Sequence, residues 1–89
     1  MVYKQYEFPT DKNQWLKENR NISFEEVIAA IEDGDVIDVI PHTNTAKYPN
    51  QSMYVLNINN YVYLVPFVKK DKNTAYLKTI FPNRNLTKH

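Results

Sequence analysis

The chain has no cysteine and a single glycine, and each scarcity removes a class of function. Without thiols there is no disulfide framework and no thiolate metal site, a composition that suits a reducing compartment. One glycine cannot build a Gly-rich phosphate loop, so the P-loop and the dinucleotide fingerprint are both excluded. No apolar run nears the roughly 20 residues of a membrane span, and the first residues lack the basic-then-apolar order of a signal peptide. The cytoplasm is the expected location. The two histidines, His42 and His89, are not at ligand spacing, so neither a metal nor another cofactor is expected.

What is present is enough for one domain: 89 residues can bury a single modest core. The net charge of +1 hides an asymmetry. Residues 1–40 carry four basic against nine acidic side chains, a net of −5, and residues 41–89 carry seven against one, a net of +6. A charge division of this kind points toward a polyanion on one surface, although acidic helices and lysine-rich hairpin loops would also produce it.

Residues 51–58 (QSMYVLNI) and 61–68 (YVYLVPFV) read as strands joined at Asn59-Asn60, a pair that tolerates the positive φ of a two-residue hairpin turn. A polar loop, residues 69–73 (KKDKN), leads to a third strand, residues 74–81 (TAYLKTIF). Pro66 conflicts with a regular central strand, so a bulge, a kink or an outward-facing edge is expected there.

Before this region, residues 1–8 predict a short strand stopped by Pro9, and Thr10 is placed to cap a helix running to Asn19, with Asp11 at the positive end of its dipole. Trp15 and Leu16 are that helix's apolar residues, and Trp15 is expected to pack over one end of the sheet. Ser23 and Glu26 form a capping box for a second helix, flanked by Ile22 and Val27 as a hydrophobic staple. Phe24, Val27, Ile28 and Ile31 make its buried stripe, and Gly34 ends it. Residues 36–40 (VIDVI) add a strand. The predicted fold is α+β: an N-terminal strand and two helices packed on an antiparallel four-stranded meander.

This order, with Ile22-Ser23-Phe24-Glu25-Glu26 opening the second helix and residues 82–88 (PNRNLTK) after the last strand, resembles the BrnT family of small bacterial toxins in the wider RelE/ParE-like group. The resemblance covers nearly the whole chain, residues 1–89 as one toxin domain, and implies a RelE-like ribonuclease of a type II toxin–antitoxin system. Such a protein cuts RNA, on or off the ribosome, to stop translation, and is held by a cognate, DNA-binding antitoxin. Arg84 and Thr87 match the family's Arg-x-x-Thr after the final strand.

The chemistry can also be read from the residues. Metal-independent RNA cleavage needs a base for the ribose 2′-hydroxyl, cations for the charge that builds on phosphate, and an acid for the leaving oxygen. His42 is the candidate for proton transfer, and Lys78 and Arg84 for holding phosphate. Lys47, Tyr61, Tyr63 and Lys88 are candidate RNA contacts, the tyrosines by stacking on bases, and the resemblance implies Thr87 as a further one. Each has an ordinary alternative: His42 as a loop residue, Lys78 as an exposed cross-strand residue, the tyrosines as sheet packing. A non-catalytic RNA-binding or ParE-like inhibitor, and a domain that binds only protein, remain as alternative functions.

Overall fold

Asn59 and Asn60 adopt φ angles of 54° and 65°, and the hairpin they close sets the register of the sheet. The computed structural model describes residues 3–41, 46–47 and 51–83. In chain order the elements are β1 (Gln5–Glu7), α1 (Thr10–Asn19), α2 (Phe24–Glu32), β2 (Val36–Pro41), β3 (Ser52–Ile58), β4 (Tyr61–Asp71), β5 (Thr74–Leu77) and β6 (Phe81–Pro82). The expected antiparallel meander is present as β2-β3-β4-β5. The sheet is nevertheless mixed and six-stranded, because β1 joins β5 in parallel at one edge and β6 pairs with β4.

The last strand departs from its expected span. Residues 74–81 do not run as one strand, since pairing with β4 stops after Leu77 and resumes only at Phe81. Pro66 explains the interruption. Its register with β3 is unbroken, Met53 opposite Pro66, so no bulge occurs there, but on its other side Pro66 lies at an unpaired stretch of edge, the outward-facing edge among the three expected outcomes. Strand alternation turns the Pro66 nitrogen and carbonyl toward β5, where the carbonyl accepts from the Lys78 amide (2.8 Å) but no N–H is available in return. The neighbour leaves the ladder, and Ile80 drops fully buried into the core. The detour leaves Thr79 Oγ1 buried without a hydrogen-bond partner among the described residues. The expected polar loop at residues 69–73 is mostly strand: β4 continues to Asp71, and the chain reverses at Lys72 and Asn73. Asp71 Oδ1 accepts from the Asn73 amide, and the Asn73 carbonyl takes the Lys4 and Gln5 amides, which ties β1 to this turn.

Both helices lie on one face of the sheet. Leu16, Ile22, Phe24, Val27 and Ile31 pack against Tyr54, Leu56, Val65, Phe67, Ala75 and Leu77. The capping box of α2 forms as expected, Glu26 N–H to Ser23 Oγ and Ser23 N–H to Glu26 Oε2, and Gly34 follows the helix at φ 83°. For α1 the N-cap is Pro9 and not Thr10, which is already helical and makes no side-chain cap. Asn21, at φ 55°, turns the chain out of α1 and toward α2. Under β1, Tyr54 is fully buried and stacked on Phe67 at 4.3 Å between centroids, while the Tyr6 hydroxyl accepts from the Tyr3 amide. Burial, and then its hydrogen bond with Tyr6, push the Tyr54 phenol far up.

Asn13 joins the helices. Only 5% exposed, it accepts the first α2 amide, Phe24 N–H, at 2.8 Å and donates to Glu25 Oε1 at 2.9 Å. The bond donated by the Asn13 side chain is the chief reason the Glu25 carboxyl is held below its ordinary value. Asn13→Leu leaves the Phe24 N–H buried without its partner, and is expected to cost about 1–3 kcal/mol of stability in urea unfolding. A loss below about 0.5 kcal/mol would show that water replaces the amide at no cost.

The opposite edge of the sheet is β2. Its ladder to β3 is irregular between Val36 and Asp38, and the alternation leaves Val39 and Pro41 facing the open side. There the Val39 amide donates to Asp38 Oδ1 at 2.8 Å, and Pro41 has no amide hydrogen. No described helix is long and apolar enough to cross a membrane.

Candidate functional site

The sheet face turned away from the helices follows from parity along the strands. Val65 and Phe67 point to the helices, so Val68 points away, and the pairing carries this across to Tyr76 on β5 and Glu7 on β1; the ladder is irregular between Lys69 and Asp71, and Lys70 is placed on this face by its contact with Glu7. Glu7, Tyr76 and Val68 therefore form a row across three strands. Lys70 reaches back along it, its Nζ 2.6 Å from Glu7 Oε1, and Lys78 Nζ lies 5.4 Å from the centroid of the Tyr76 ring.

This strip joins two ammonium groups, a phenol and a carboxylate at the surface. The Glu7 carboxylate, by hydrogen bond and by charge, raises the Lys70 pKa above the ordinary lysine value, so this cation is kept at any physiological pH. Lys72 is exposed in the β4–β5 turn, and Lys69, also exposed, is paired with Ala75 and belongs to the other face. Two cations flanking a phenol and a carboxylate can hold a phosphate and exchange protons with groups on either side of it.

Of the residues singled out in the sequence, Lys78 belongs to this strip. Tyr61 and Tyr63 do not: they lie 5.2 Å apart on the helix-covered face, where burial, then Tyr61 and Glu26, raise the Tyr63 phenol. Lys47 is exposed in a turn. His42, Arg84, Thr87 and Lys88 lie outside the described residues. A pocket of about 260 Å³ opens between the end of α2 and the β3–β4 turn, but Glu26, Asp33 and Asp35 line it and would repel an anion. Among the described residues no group of three or more His, Asp or Glu side chains is arranged to hold a metal ion.

The strip also contains three residues that the sequence reading passed over, Glu7, Lys70 and Tyr76. Tyr76 in β5 and Lys78 just after it are two positions apart, a spacing that is readable in the sequence. Glu7 and Lys70 are 63 positions apart and meet only because β1 pairs in parallel with β5, which no local pattern announces. No family model matches the chain, and neither the curated proteins nor the solved structures yield a match.

Proposed function

We propose that the protein is a RelE/ParE-like toxin of a type II toxin–antitoxin pair, an endoribonuclease that cuts RNA without a metal ion and is restrained by a cognate antitoxin. The strip of Glu7, Lys70, Tyr76 and Lys78 carries this reading. Order of elements supports it: a first strand, two helices and a meander, as the resemblance implies. In the proposed step Glu7 takes the proton of the ribose 2′-hydroxyl, whose oxygen attacks the adjacent phosphorus. Lys70 and Lys78 hold the charge that accumulates on the phosphate oxygens. The P–O5′ bond breaks as Tyr76 gives its proton to the leaving oxygen, and a 2′,3′-cyclic phosphate remains.

One observation favours a second reading. The 2.6 Å bond to Lys70 occupies the carboxylate that must act as base, which fits a face that binds RNA without cutting it. Incubating purified protein with RNA in excess EDTA separates the two. The expected result is cleavage with cyclic or 3′-phosphate ends. Loss of cleavage on chelation would overturn the 2′-hydroxyl mechanism, and intact RNA that is nevertheless bound would establish the non-cutting reading.

A further inference from the structure

Leu16 fills the inner side of α1, and its neighbour Trp15 faces the solvent, contrary to the expected packing over the sheet. At 42% exposure the only tryptophan of the chain contributes nothing to the core cluster. Its ring has two cationic neighbours instead, Lys12 Nζ at 4.6 Å and the Arg20 guanidinium carbon at 5.1 Å from the centroid. Arg20 is fixed from the other side, because Nη1 donates to the Ile80 carbonyl at 2.9 Å. That carbonyl belongs to the connection of residues 78–80, which leads into Phe81 of β6, itself 43% exposed. Arg20 thus links the surface of α1 to the segment that carries Lys78.

We propose that Trp15 is a stacking platform for a base of single-stranded RNA, with Lys12 and Arg20 taking the phosphates that flank it. The inference rests on the RNA reading above and extends the bound strand from the sheet onto α1. An exposed aromatic ring beside cations is the combination that single-stranded nucleic acid uses, the ring for the π-face of any base and the cations for the backbone. Lys12 is a flexible chain whose hold on the ring is weaker than base-on-indole stacking, so it yields the ring and moves to phosphate. A lipid surface is a poorer fit. The outward neighbours of Trp15 on α1 include Asp11, Gln14, Glu18 and Asn19, which leaves one ring and no apolar face to insert.

Because Trp15 is the only tryptophan, its fluorescence reports this site alone. Titration with a short single-stranded RNA should quench the emission with the same midpoint as the anisotropy of a labelled copy of that RNA. Trp15→Leu and Lys12→Glu, each checked for folding by circular dichroism, should weaken binding roughly 10-fold or more. Binding by anisotropy with unchanged emission and unaffected variants would overturn the platform and leave RNA as the ligand of the sheet. No RNA binding by either signal would overturn the platform and the RNA reading together. A blue shift on anionic phosphatidylserine vesicles but not on RNA would replace the platform with a lipid contact.

Discussion

On the proposed ribonuclease reading, Lys78→Ala is expected to lower the rate of RNA cleavage by about 10²-fold or more while the protein stays folded, the scale on which one preorganised contact to transition-state charge acts. The fold should survive because the side chain is exposed and its described contact is the Tyr76 ring at 5.4 Å, so the stability change is expected within about 0.5 kcal/mol. Lys78→Arg keeps the charge but spreads it over a planar fork, and should restore part of the rate. Single-turnover cleavage of a labelled RNA, alongside urea unfolding, measures both quantities. A folded Lys78→Ala protein that cuts at the unaltered rate would place the chemistry away from this strip.

The largest expected loss of stability is at Phe24. It is fully buried at the first turn of α2 and stacks on Phe8 with ring centroids 5.0 Å apart. Truncation to alanine removes the ring from the point where both helices meet the sheet, at a cost of about 3–5 kcal/mol. A domain of this length has a total stability on the order of 4–13 kcal/mol, so Phe24→Ala should be strongly destabilised or unfolded at 37 °C. Thermal melting followed by circular dichroism decides it. A melting temperature lowered by only a degree or two would mean that the core closes over the gap.

The elements that were legible in the sequence are those specified by neighbours along the chain. Asn59-Asn60, the Ser23 and Glu26 capping box, the stripe of Phe24, Val27, Ile28 and Ile31, and Gly34 each combine a backbone requirement with a residue suited to it. What was hidden depends on distant partners. Pro66 acts on the strand beside it, so its effect appears as a break at residues 78–80 and not in β4. In α1 the apolar pattern is too sparse to orient the helix: Trp15 and Leu16 are adjacent, and the inner face is completed by Asn13, a polar residue buried to cap α2. The candidate site had the same limitation. Lys78 was readable as a cation among apolar residues, but its companions Glu7 and Lys70 come together through the parallel pairing of β1 with β5.

The outer edge of β2 limits how a protein partner can attach. A run of β-branched residues with Ile37 59% exposed would ordinarily be a template for another chain to add a strand, or for the protein to polymerise with itself. Here the Val39 amide is already engaged by Asp38, and Pro41 offers no donor, so an incoming strand finds its hydrogen-bonding row interrupted at alternate positions. A protein partner, such as the proposed antitoxin, is therefore expected to cover a face of this molecule rather than extend its sheet at β2, and the folded chain offers a poor template for self-addition at that edge.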